Sequence, residues 1–181
     1  MIGQWLKRRK DRQEKARALY FAAASQARQP AFYQEMAVPD TVDGRFEMTA
    51  LHVFLLMHAQ GADNQKLAQA LFDRMFKVND QTMRQAGIGD LSVPRHMKRM
   101  MTAFNGRAHA YEAALKAGQG MADTLRRNVY GTMENAPHPA IMRLESYVIA
   151  CANSLRAQDI VEGRAMFASP DQAPQEMRRH G

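Results

Sequence analysis

One stretch constrains the fold of this chain more than any other. From Phe46 to Met57, the side chains of Phe46, Met48, Ala50, Leu51, Val53, Phe54, Leu55, Leu56 and Met57 leave almost no helical face polar. A helix that is apolar all round must be wrapped by other helices. The run is too short to span a bilayer, which needs roughly 20 apolar residues, and it contains Glu47 and His52. It therefore predicts a buried central helix, about Gly44 to Gln60, inside a single compact multi-helix domain. Elsewhere apolar positions also recur at helical spacing, and strict alternation never extends beyond a few residues. The expected fold class is all-α.

Breakers and caps place the surrounding elements. A first helix from near Gln4 to near Ala27 must stop before Pro30, because the residue preceding proline is pushed out of the helical region. A short turn of helix follows at Ala31–Met36. The loop from Val38 to Gly44 is dense in turn residues, and Asp40, Thr41 or Asp43 can cap the central helix. Beyond Gly61 a helix from about Asp63 to Gln85 carries the stripe Leu67, Leu71, Met75 and Val78, with Phe72 and Phe76 beside it. The loop Gly87 to Ser92 ends it, and Ser92 with Pro94 opens a helix reaching about Ala117. Gly118 and Gly120 precede a helix near Met121–Tyr130. The breaker Asn135-Ala136-Pro137-His138-Pro139 precedes the last helix, about Ala140 to Ala157, which should bury Met142, Leu144, Tyr147, Val148, Cys151 and Leu155. The chain thus divides into a basic amphipathic segment (1–18), a helical body (19–168) and a flexible tail (169–181) with two prolines.

The net charge of +7 is unevenly spread. Residues 1–17 hold seven basic side chains against Asp11 and Glu14, leaving 18 basic and 16 acidic residues in the rest. Ile2, Trp5 and Leu6 recur at i, i+3, i+4 just ahead of Lys7, Arg8, Arg9 and Lys10. Tryptophan beside cations on a short helix suits a membrane interface, and the same charge suits RNA or the ribosome. The competing reading docks Trp5 on the domain. No signal peptide is visible, since a charged segment preceding an apolar run is missing.

Catalytic patterns are not found. His52 and His58 fall on different helical faces, no His-Glu-x-x-His exists, and no metal or cofactor is expected. Gly87-Ile88-Gly89 lacks a preceding strand and a third glycine, so it is no nucleotide fingerprint. Cys151 cannot form an internal disulfide and, placed among apolar neighbours, reads as inert packing. The chain is expected not to be an enzyme.

The features that remain point to protein binding. Methionine is abundant, 14 of 181 residues. Met97, Met100 and Met101 share a helical face, framed by Arg95, Lys98, Arg99 and Arg107. They read either as core filling or as an adaptable apolar floor with a basic rim, suited to an amphipathic helix. Gly106 is expected to allow close helix approach, and Arg45 and Arg107 to pair with the loop carboxylates Asp40, Asp43 or Asp90.

A set of ordered motifs resembles the ubiquinol–cytochrome c chaperone family. They are Arg28-Gln29-Pro30-Ala31-Phe32-Tyr33, Val38-Pro39-Asp40-Thr41-Val42-Asp43-Gly44-Arg45-Phe46-Glu47-Met48, Leu51-His52-Val53-Phe54-Leu55, Gln69-Ala70-Leu71-Phe72-Asp73, Gly87 to Pro94, Ala103-Phe104-Asn105-Gly106-Arg107-Ala108 and Leu125-Arg126-Arg127-Asn128-Val129-Tyr130. The likeness runs from about Leu19 to Phe167 and begins almost at once, as in a bacterial-type member. It implies an assembly chaperone that binds newly made cytochrome b, with the ribosome and an anionic membrane surface as further contacts. It also implies a cytoplasmic location, peripheral to the inner membrane. The alternative is an RNA- or ribosome-binding module acting through the basic segment. The expected client contacts are Arg45, Met97, Lys98, Met101, Phe104, Arg107 and Tyr111. Asp40, Asp43, Asp90, Gly106, Arg127 and Asn128 are expected to shape the fold, and Trp5, Leu6, Lys7, Arg8, Arg9 and Lys10 to meet the membrane or ribosome.

Overall fold

The helix expected around the Phe46–Met57 run is the hub of the molecule. In the computed structural model, which describes residues 2–89 and 91–172, helix α3 (Val42–Gln60) packs against α1 (Ile2–Gln26), α4 (Gln65–Gln85), α5 (Val93–Ala117) and α7 (His138–Arg156). Leu51, Val53, Leu55 and Leu56 of α3 are fully buried on all sides of the helix. The short helices α2 (Pro30–Gln34) and α6 (Met121–Asn128) complete the set. Among the described residues there are seven α-helices, three 3-10 turns and no strand, and no helix is long and apolar enough to cross a membrane.

Local chemistry sets the boundaries. Thr41 is the residue that caps α3, its hydroxyl accepting from the Gly44 amide at 3.1 Å. Gly44 itself is required, because a Cβ there would run into the Pro39 carbonyl oxygen. Pro30, Pro94 and Pro139 lie in the first turns of α2, α5 and α7, where the missing amide is no loss. Gly118 and Gly120, both with positive φ, form the corner between α5 and α6. α6 has no side-chain cap of its own. Glu145 of α7 supplies one, accepting from the Ala122 amide at 3.0 Å. The Tyr130 hydroxyl, just beyond α6, donates to the Met36 carbonyl at 2.7 Å. These two bonds fix the position of α6 against the body.

α1 runs unbroken across residue 18. Its burial begins at Ala16 and continues through Leu19, Tyr20, Ala23 and Ala24, which lie against α3 and α4. The stripe on α4 packs as expected, with Leu67, Leu71 and Met75 buried and Val78 partly so. On α7 Leu144, Tyr147, Val148, Cys151 and Leu155 are buried, but Met142 is only half-buried because it lies toward the edge of the helix's inner face. Pro170 is buried at the head of the last 3-10 turn, Pro170–Gln172. Most of the expected flexible tail, 173–181, lies outside the described residues, as does Asp90.

Candidate functional site

Two polar clusters break the apolar interior. The first is sealed. His52 is fully buried, with Nδ1 at 2.7 Å from the Met48 carbonyl and Nε2 at 2.8 Å from the Tyr147 hydroxyl. The neutral tautomer satisfies both: Nδ1–H donates to Met48, and Nε2 accepts from Tyr147. Gln26 donates to that hydroxyl at 3.0 Å and to the Ala168 carbonyl at 3.1 Å. Burial lowers the His52 pKa to about 4, against the small lift from Met48. Phe32, Phe167 and Tyr147 pack around the imidazole. His52 is thus a satisfied core histidine that ties α1, α3, α7 and the C-terminal segment together. Burial likewise pushes the Cys151 thiol up, away from thiolate chemistry. Among the described residues no group of three His, Cys, Asp or Glu side chains could hold a metal ion.

The second cluster opens to the surface. The start of α3, the end of α4, the first half of α5 and the end of α6 enclose a cleft of about 640 Å³. Phe46, Met83, Met100, Ala103 and Val129 supply apolar lining, and Val42 stands at the rim with 86% of its surface in water. Arg99, Arg107, Arg127 and His96 also line it, as do Asp43, Glu47, Asn79 and Asn128. Arg107 of α5 donates through Nη2 to Glu47 Oε1 of α3 at 2.5 Å. Glu47 is only 7% exposed, and desolvation raises its pKa to about 7, with Arg107 pulling the other way and Asp43 adding to the rise.

The expected binding residues separate into groups. Arg107 lines the cleft, together with Met100 and Arg99 of the methionine–arginine face; Met97, Met101, Lys98 and Arg45 do not. Met97 and Met101 are half-buried against the core. Phe104 and Tyr111 are core residues, 1% and 2% exposed, and no part of an open surface. Phe104 packs on Phe72 and Phe76, and Tyr111 on Phe54, because α5 turns this stripe toward α3 and α4. Arg45 pairs with Asp40 at 2.6 Å, as expected, and lies over the Tyr33 ring. Among the described residues Arg107 pairs with Glu47 on the facing helix and not with the loop carboxylates Asp40 or Asp43; Asp90 lies outside them. Gly106 has nothing within 4 Å of where a Cβ would sit, so it faces solvent and not a neighbouring helix. Asp43, Arg127 and Asn128 line the cleft, Asn128 facing the Tyr111 hydroxyl. Trp5 and Leu6 are 58% and 52% exposed, so Trp5 is not docked on the domain. Lys7, Arg8, Arg9 and Lys10 are exposed beside them, with the Arg9 guanidinium over the Trp5 ring at 5.6 Å.

Sequence reasoning missed Glu47, Asn79 and Met83 as cleft residues. A signal for Glu47 existed: a carboxylate inside a helix that buries every face must find a cation. Asn79 and Met83 sit on the outer half of α4 and carried no such mark.

This fold has a known counterpart. The chain is similar over 96% of its length to the crystal structure of the Cbp3 homolog from Brucella abortus, covering all of that chain at 38% identity with a TM-score of 0.81. No curated protein sequence matched. The family model for the ubiquinol-cytochrome C chaperone matches residues 34–165, which include α3 through α7 and the whole cleft. The chain belongs to the ubiquinol–cytochrome c chaperone family.

Proposed function

We propose that this chain is a non-enzymatic assembly chaperone for ubiquinol–cytochrome c reductase that holds newly made cytochrome b. The observation that carries the reading is the family match across residues 34–165, which contain the cleft. An apolar lining with methionines and bordering cations is suited to a client segment that is not yet packed in its final complex. The chemistry of the interior supports a binding role: the buried histidine is neutral and fully bonded, and the cysteine is a buried thiol. The client stays in the cleft until its partner subunits or cofactors take over its apolar surface.

The test is deletion of the gene, followed by measurement of cytochrome b and of quinol–cytochrome c reductase activity. Loss of both, restored by the intact gene, is expected; normal levels of both would rule the reading out.

A second contact is supported by the exposed start of α1. Trp5 and Leu6 stand in water next to four cations, the composition of an interfacial anchor. We assign this segment to an anionic membrane surface, which would hold the chaperone where its client is inserted. The rival assignment, RNA or the ribosome, rests on the same charge but gives the exposed leucine no role.

A further inference from the structure

We propose that the cleft accepts one kind of occupant: an amphipathic helix whose apolar stripe is bordered by carboxylates. This deepens the reading above, on which it rests, by stating the chemistry of the client segment.

The charge pattern of α5 carries the inference. From Val93 to Tyr111 the helix holds Arg95, Lys98, Arg99 and Arg107 and no Asp or Glu. Only Arg107 is matched, by Glu47. No carboxylate among the described residues pairs with Arg95, Lys98 or Arg99, and Arg127 across the cleft makes only a 3.4 Å bond to Thr124 Oγ1. Of the two carboxylates in the lining, Glu47 is engaged by Arg107, and Asp43 sits in the first turn of α3, where the helix dipole favours it. The cleft therefore presents Arg99 and Arg127 on facing helices, both exposed and neither neutralised. The same lining holds the half-buried Met83 and Met100 and the exposed Val42.

The shape selects among anionic occupants. A small anion would satisfy the arginines but leave the exposed Val42 and the methionines in water. A single-stranded nucleic acid needs successive aromatic platforms for its bases, and the lining offers one phenyl ring, Phe46, and one imidazole, His96. An added strand needs a sheet edge, and the described residues form no strand. A groove between helices takes a helix, and its unmatched cations ask for acids beside the apolar stripe.

The full chain is titrated with two labelled helical peptides that differ only in the residues bordering a leucine stripe, Glu in one and Lys in the other, and with an oligouridylate. The Glu peptide is expected to bind, and to weaken as salt rises. Exchanging both cations, Arg99→Glu with Arg127→Glu, should weaken it by about tenfold or more and improve the Lys peptide. Arg126→Glu, at a residue paired with Asp123 outside the cleft, should change neither. Should the double variant melt early, Arg99→Gln and Arg127→Gln singly give the same readout. Equal binding of the two peptides, indifference to the arginines, or oligouridylate binding that these variants abolish would overturn the proposal. Each variant is also returned to the deletion strain. Full rescue of reductase assembly by the double variant would overturn this inference and leave the chaperone reading standing. A deletion without effect would remove the chaperone reading, while the peptide preference would stand.

Discussion

Arg107 of α5 grips Glu47 of α3 at 2.5 Å, at the base of the cleft where the two helices meet. Both side chains are largely out of water, and each leaves a buried polar atom, Glu47 Oε2 and Arg107 Nε, without a further partner. A pair held this way is costly to break from one side, since the abandoned charge stays in a poor solvent. Arg107→Met should lower stability by about 2–4 kcal/mol, and the double change Glu47→Gln with Arg107→Met should cost less than the sum of the two single changes. Urea unfolding of the four proteins measures this. Additive losses would show that the pair is not coupled.

The same carboxylate gives the protein an unusual pH response. Glu47 has a folded pKa of about 7, above its ordinary 4.5, so its contribution favours folding below pH 4.5 and fades as pH rises through 7. His52 is shifted the other way, from 6.5 to about 4, so its contribution is full above pH 6.5 and is lost as pH falls toward 4. Between pH 4.5 and 6.5 the two slopes oppose each other. Glu47→Gln should expose the histidine term: the variant is expected to lose of order 1–3 kcal/mol more than the parent on acidification through that window. Melting temperatures measured across the range check it, and parallel curves would refute it.

Tyr147→Phe removes one hydroxyl from the sealed cluster. His52 Nε2 then loses its donor and Gln26 one of its two acceptors, while the ring still packs on Phe32. Stranding a buried acceptor costs about 1–3 kcal/mol. The loss should appear in the unfolding midpoint with little change in helical signal, and an unchanged midpoint would mean that the hydroxyl holds nothing together.

How far the sequence reveals the structure depends on the range of the signal. The central helix was legible because an apolar run with no polar face has one physical solution, and Pro30, Gly61 and Pro94 mark boundaries that any helix must respect. The resemblance of ordered motifs named the family. What stayed hidden was what each position on a face meets. Met100, Phe104, Arg107 and Tyr111 share one face of α5 at helical spacing, and spacing alone does not say that Phe104 and Tyr111 are sealed in the core while Met100 and Arg107 line an opening. Glycine was ambiguous for the same reason. Gly44 and Gly106 look alike as Gly-Arg pairs, yet one abuts the Pro39 carbonyl and the other faces solvent.

That contrast is itself testable. Gly44→Ala should destabilise by about 1–3 kcal/mol, because the new methyl must displace backbone at the α3 cap. Gly106→Ala should be neutral or stabilise by up to about 1 kcal/mol, since it adds helix propensity in open space. Thermal melts of the two variants should therefore move in opposite directions or differ widely. A costly Gly106→Ala would mean that this face of α5 meets something in solution.

The exposed start of α1 should act as an anchor in which charge and apolar surface cooperate. Cations near an anionic bilayer contribute about 1 kcal/mol each, and a buried aromatic adds to that at the interface. Replacing Lys7, Arg8, Arg9 and Lys10 with Gln should therefore abolish cosedimentation with vesicles containing phosphatidylglycerol, while vesicles of phosphatidylcholine should bind neither protein. Trp5→Ala should weaken binding at every salt concentration, because it removes apolar surface, and should leave the salt dependence in place, because the cations remain. Burial on α1 begins only at Ala16, so both variants should melt like the parent. If Trp5→Ala leaves vesicle binding unchanged while the charge variant loses RNA binding instead, the segment reads phosphates on a nucleic acid and not a membrane.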